Sequence, residues 1–289
     1  MVIKLRKIHT LIFTVFVITV FLFANIFSLL SQEKAVSSTS SLRLPIVMYH
    51  HVTQNEKRSG KYVITTKELQ KDFDYILEKG YTCVTVEDLK NYIDGKIDLP
   101  EKIIMITFDD GFESVFRLVR PLLKERKMKA VISPVGSVTE LYSKNGDKNI
   151  NYAYMTWEEL AQAEKSDEFE VQSHTYNMHH NEKGKRNGLS KQKNETSKEY
   201  EKALTKDLEK MNSLLLKNSG IKPLCIVYPY GLYSKDTLKI IKKIGFISSF
   251  VCEERINTIS RGNADCLFNL GRYNRPSGIE TKDFFDKLL

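Results

Sequence analysis

An α/β fold, built as an irregular (β/α) barrel with its site at the carboxyl ends of the strands, is what this sequence predicts. From Leu44 onward short β-rich runs alternate with helical patterns. About eight such runs in roughly 245 residues suit a barrel. Polar residues also cluster directly after several of the strands, where barrels assemble their sites from separate loops.

The strands are expected at Leu44–Tyr49, Tyr81–Thr85, Ile103–Phe108, Lys129–Ser133, Glu168–Ser173, Leu224–Tyr228, Phe246–Val251 and Leu267–Leu270. Between them, Lys67–Lys79 reads as a helix because Leu69, Phe73, Ile76 and Leu77 share one face. Thr65 with Glu68 supplies its capping box and Gly80 its stop. Thr85 with Asp88 repeats the device before Leu89–Ile93, and Glu199–Leu216 and Asp236–Lys243 read as further helices. Two stretches break the rhythm: Gly136–Tyr154 is expected to be a polar loop, and Asn181–Lys198 is poor in apolar residues.

The chain is 289 residues long, 42% hydrophobic and 28% charged, which excludes wholesale disorder and collagen-like chains. Its net charge of +8 is uneven. Residues 1–43 hold five cations against one acid, leaving only +4 for the other 246 residues, so nothing advertises a nucleic-acid partner. Four cysteines without CxxC spacing make neither a disulfide scaffold nor a zinc ribbon.

Lys4, Arg6 and Lys7 precede Leu11–Leu30, twenty residues without a charge. As a helix that run would reach about 30 Å, the thickness of a bilayer's hydrocarbon core. The preceding cations would stay in the cytoplasm, which sends the rest of the chain outside. Residues 1–30 are therefore expected to be a transmembrane anchor or a signal peptide, with Ala35-Val36-Ser37 as a cleavage site in the second case. Residues 31–43 read as a polar linker, and 44–289 as the domain.

Five of the six histidines lie in two clusters, His50-His51 and His174, His179, His180. Asp109-Asp110 closes the apolar run Ile103–Phe108. A plain turn with an N-cap would use Asp-Asp-Gly equally well, but a strand buried on both faces delivers its last residues into a crevice. Two adjacent carboxylates there repel unless a cation relieves them; a metal on one leaves the other free as a general base. His174 and His179 are five apart, about 500° on a helix, so they ligate together only from a strand end and a returning loop. Asp110, His174 and His179 would then form an open site for one divalent ion, with zinc expected and cobalt, nickel, manganese or iron also suited. His180 reads as an exposed loop residue. His50 is either a local cap or a general acid, and His51 is expected to point away.

Together these residues resemble carbohydrate esterase family 4, the NodB-type polysaccharide deacetylases. Thr107–Gly111 (TFDDG) is similar to the family's first motif, His174-Thr175 with His179 to the second, and Tyr228–Gly231 (YPYG) to the third. The likeness covers about residues 44–289. Two departures stand out: the histidine spacing is five rather than four, and Val227-Tyr228 stand where an Arg usually precedes the Pro. Leu270-Gly271-Arg272 also replaces the usual Leu-x-His. These departures resemble the extracellular poly-β-1,6-N-acetylglucosamine deacetylases of biofilm systems, including intercellular adhesin deacetylases. The resemblance implies Asp109 as base, His50 as acid and the Tyr230 backbone N–H at the oxyanion. It implies Arg272 as a rim residue orienting Asp109 or substrate, and Trp157, before a helix in MTWEEL, then either stacks on sugar or packs in the core. It further implies a GlcNAc-containing extracellular polysaccharide as partner and a place at the cell surface, membrane-anchored or secreted. A peptidoglycan or chitooligosaccharide deacetylase, or a silent glycan-binding module, are the rival readings.

Overall fold

A computed structural model of the chain describes Thr19 and residues 41–289. The expected anchor Leu11–Leu30 and the linker up to residue 40 lie, Thr19 apart, outside the described residues. Among the described residues no helix is long and apolar enough to cross a membrane. Leu42–Leu289 form one compact unit.

Ile103–Asp110 sits mid-sheet because seven of its eight residues are buried, and apolar side chains run through it on both faces. It pairs in parallel with Ile46–Tyr49 on one side and Ala130–Pro134 on the other. The latter pairs with Phe169–Val171, and Ile46–Tyr49 with Tyr273–Asn274. A parallel bridge, Ser173 to Ile226, passes from that sheet to the pair Cys225–Val227 and Ser248–Phe250, and another joins Phe250 to Leu270. Every one of these pairings is parallel, so the strands deliver their carboxyl ends to one side.

The helices start where side-chain caps satisfy the first backbone N–H groups. Reciprocal capping boxes open Thr66–Glu78 (Thr65 with Glu68), Val86–Ile93 (Thr85 with Asp88), Trp157–Glu164 (Thr156 with Glu159) and Ser197–Ser219 (Thr196 with Glu199). Gly220 and Gly245 end two helices in the left-handed conformation. Two expectations fail. Gly136–Asn145, expected as loop, is a helix; it has no side-chain cap and buries only Gly136 and Thr139, so it carries almost no apolar stripe to read. Leu267–Leu270, expected as a strand, is the end of a 3-10 turn (Ala264–Leu267) followed by the single bridge at Leu270.

A buried acidic pair, with Glu113 just past the carboxyl end of Ile103–Asp110, contributes to a pH dependence. Glu113 is fully buried, accepts from Arg117 Nε at 2.6 Å and lies against Glu159, which is also held by Arg117 and by Lys148 at 2.8 Å. Burial, only partly offset by Arg117 and reinforced by the Glu159 carboxyl, pushes Glu113 up to about 7 from 4.5. The unfolded chain therefore releases this proton at lower pH than the folded one, so stability is lost as pH rises through that window. Melting temperature is expected to fall between pH 5 and 8 by the equivalent of about 1–3 kcal/mol, and Glu113→Gln to flatten the fall. An equal slope in the variant would assign the effect to another group.

Candidate active site

Asp109 and Asp110 leave the sheet together, and backbone strain aims them. Asp110 has φ 70° and Gly111 φ 78°; a Cβ on Gly111 would stand 2.7 Å from Pro134 Cβ, so only glycine allows the turn. Thr175 after His174 (φ 72°) and Tyr230 (φ 58°) hold the same unfavourable conformation. Such geometry persists only where surrounding contacts impose it, and here it recurs around one cleft.

That cleft, about 480 Å³, is lined by His50, Asp109, Asp110, His174, His179 and Tyr230. Asp110 Oδ1 lies 3.6 Å from His174 Nε2 and 3.2 Å from His179 Nε2. His174 Nδ1 is 2.9 Å from the Val227 carbonyl, which can only accept, so Nδ1 carries the proton and Nε2 presents its lone pair. Burial holds the His174 imidazole down to about 4, hence neutral near pH 7, despite the carboxylates of Asp109 and Asp110. His179 Nδ1 lies 3.2 Å from the Tyr230 hydroxyl, and the two rings touch with centroids 4.6 Å apart. Burial opposes charge on His179, but the Asp110 carboxylate against it leaves its pKa raised.

These three side chains fit a divalent cation. Their donor atoms all lie within 4.8 Å of one another, whereas ligands about 2.1 Å from a tetrahedral zinc stand ~3.4 Å apart. Asp110 Oδ1 is buried with no hydrogen-bond donor, an orphan that a cation would satisfy. Two imidazoles and one carboxylate also leave positions open for water and substrate.

Asp109 is held differently. Arg272 grips it with two parallel bonds, Nη1 to Oδ1 at 2.7 Å and Nη2 to Oδ2 at 2.8 Å. Arg272 itself is fully buried, bonded also to Thr107 Oγ1 and the Val251 carbonyl and stacked over Phe250. Burial alone would raise the Asp109 carboxyl; the guanidinium reverses this and holds it well below the usual carboxylate range. Arg272 therefore contacts Asp109, one of its two expected partners, but not from the rim: with no exposed surface it lies beneath the cleft. Trp157 is likewise corrected. It is 8% exposed, packs in the main apolar core and does not line the cleft, so it is no sugar platform.

His50 lines the cleft with Nδ1 buried and unpartnered, its ring edge-on to Tyr62. His51, expected to point away, lines the cleft too; its Nε2 lies 3.1 Å from the Ile150 carbonyl and its ring packs on Phe112. Sequence reasoning also missed Tyr62, Cys252, Glu254 and Asn274 in the cleft wall. Cys252 and Asn274 had a signal, the first directly after the expected strand Phe246–Val251 and the second just beyond Gly271-Arg272; Tyr62 and Glu254 come from connections without periodic pattern.

The family model for polysaccharide deacetylases matches residues 96–248, more than half of the chain. This chain belongs to that family. It is 26% identical over 260 residues to the poly-β-1,6-N-acetyl-D-glucosamine N-deacetylase of Escherichia coli K12, covering 84% of this chain and 38% of that protein. The chain thus spans well under half the length of that curated relative. The protein of the same name from Staphylococcus aureus MRSA252 is 27% identical over 237 residues, covering 81% of this chain and 73% of that one. Among solved structures, a de-N-acetylase from Aggregatibacter actinomycetemcomitans superposes with a TM-score of 0.71 at 26% identity, over 84% of this chain and 99% of that one. IcaB from Ammonifex degensii gives 0.67 at 26% identity, over 81% and 92%. The deacetylase PplD of Streptococcus pyogenes, 19% identical with a TM-score of 0.69 over 86% and 100%, shares the fold.

Proposed function

We propose that this polysaccharide deacetylase hydrolyses N-acetyl groups on an extracellular poly-β-1,6-N-acetylglucosamine, releasing acetate and leaving free amines. The observation that carries the reading is the convergence of Asp110, His174 and His179 beside the Arg272-bound carboxylate of Asp109, in an open cleft. The two curated relatives named for this polymer support the substrate. Asp110, His174 and His179 would hold a divalent ion, zinc by preference, which would supply Lewis acidity toward the acetamide carbonyl and lower the pKa of a water. Asp109, kept ionised and oriented by Arg272, takes the proton of the attacking water. The backbone N–H of Tyr230 donates to the oxygen that becomes negative at the acyl carbon. The C–N bond breaks, and His50 gives its proton to the departing amine.

The wider reading keeps an irregular (β/α) barrel for residues 44–289, a membrane anchor or export signal in residues 1–30 and a tether in 31–43. It puts the domain at the cell surface. Defined β-1,6 and β-1,4 N-acetylglucosamine oligomers, with and without chelator, test the reading by release of free amines. Turnover of the β-1,6 oligomer, abolished by chelator, is expected; activity on the β-1,4 oligomer alone would replace the substrate, and chelator-resistant turnover would remove the metal. Asp110→Ala is expected to lose bound metal, measured as ion content of the purified protein, together with turnover. Full metal content in that variant would overturn the ligand assignment.

A further inference from the structure

Resting on that reading, the reaction changes the charge of its polymer: each neutral acetamide becomes an amine that is protonated near neutrality. One segment of the chain is built to respond. Residues 181–198 hold six cations (Lys183, Lys185, Arg186, Lys191, Lys193, Lys198) against Glu182 and Glu195. Their net +4 equals the whole net charge of residues 44–289, so the remainder of the domain sums to zero. Two cations are spent internally, Arg186 on Glu195 and Lys185 on Glu182 at 2.9 Å. Lys191 reaches the Ser197 hydroxyl, while Lys183, Lys193 and Lys198 are exposed, with no ion pair to them among the described residues.

This segment starts directly after His179-His180 and is fastened to the cleft wall that carries Tyr230. Gly188 N–H donates to the His180 carbonyl at 3.0 Å, Leu189 N–H to Leu232 at 2.9 Å and Lys191 N–H to Ser234 Oγ at 2.9 Å. Gly188 packs so closely under the turn that an added Cβ would meet the Pro229 carbonyl at 2.5 Å. The backbone of this basic segment is thus fixed to the turn that carries Tyr230, beside the cleft. Of the charged residues in the cleft wall, Asp109 is paired with Arg272 and Asp110 faces His174 and His179, while Lys61 and Glu254 are opposite in sign.

We propose that segment 181–198 is a charge filter on the polymer: it admits neutral N-acetylated stretches and disfavours strands that already carry ammonium groups. Deacetylation then slows along a chain as amines accumulate, and product leaves readily. Several exposed lysines within about a Debye length of a bound ammonium suffice for a three- to fivefold effect that salt removes.

The test compares a fully N-acetylated β-1,6 pentamer with the same pentamer carrying two free amines, at a pH where the amines are protonated. Both turnover and direct binding are measured for the intact protein and for a Lys183→Gln, Lys191→Gln, Lys193→Gln, Lys198→Gln variant. The parent should prefer the fully acetylated pentamer three- to fivefold in kcat/KM and in affinity. The variant should keep its efficiency on that pentamer and lose the preference, and the parent should lose it in 0.5 M salt. Equal treatment of the two pentamers by the parent overturns the proposal, as does a preference surviving in salt or in the variant, which would assign it to acetyl contacts. No turnover of either pentamer refutes the deacetylase reading instead, and the binding comparison still decides the charge filter.

Discussion

Arg272→Met is expected to lower kcat/KM by about a hundredfold or more while leaving bound metal in place. None of the Arg272 bonds involves Asp110, His174 or His179; they run to Asp109, Thr107 and Val251. The loss arises because burial by itself pushes the Asp109 carboxyl upward, and Arg272 is the main force against it. Without the guanidinium, the Asp109 carboxyl rises from its depressed range and loses its fixed orientation. Removing one member of a fully buried pair should also cost about 3–5 kcal/mol of stability. Arg272→Lys separates charge from geometry: an ammonium restores one positive charge but not two parallel bonds, so activity should be intermediate. Acetate release, ion content and thermal melting on both variants check this. Parental turnover in Arg272→Met would remove Asp109 from the reaction or show that it needs no partner.

The central strand and the cluster of Asp110, His174 and His179 were legible because several rules coincide on them. A strand buried on both faces that ends in two acids has few other uses, and two histidines five apart after a strand can converge only through a loop. The capped helices were legible for a similarly local reason: Thr65 with Glu68 and Thr85 with Asp88 satisfy backbone donors within four residues. What failed depends on contacts distant in sequence. For Arg272 the contact with Asp109 holds and only the rim placement fails: its side chain runs inward to meet that carboxylate, 163 positions earlier. The helix Gly136–Asn145 is defined by packing of Gly136 against Tyr176 and Met211 rather than by a cap or stripe of its own. Trp157 was ambiguous because the residue opening a helix can face either way; here it turns into the core. His51 was dismissed on strict strand alternation. The sheet strand stops at Tyr49, and His51 begins a separate short strand paired with Val63–Thr65, so alternation does not carry across.

Asp109→Asn should keep its metal and lose about a thousandfold in turnover, since the amide preserves shape but cannot accept the proton of an attacking water. Its effect on folding is the more discriminating measurement. Arg272, with no exposed surface, would retain bonds to Thr107 and Val251 but lose the one carboxylate it contacts among the described residues, a penalty of about 3 kcal/mol. In the double variant Asp109→Asn, Arg272→Met that charge is gone as well. The second substitution should therefore cost far less stability than it does alone, a coupling of about 2–3 kcal/mol in the cycle. Turnover should follow a different rule, staying near the Asp109→Asn level because Arg272 acts only through the carboxylate already lost. Additive losses in turnover would mean that Arg272 reaches the substrate by itself, contrary to its complete burial beneath the cleft.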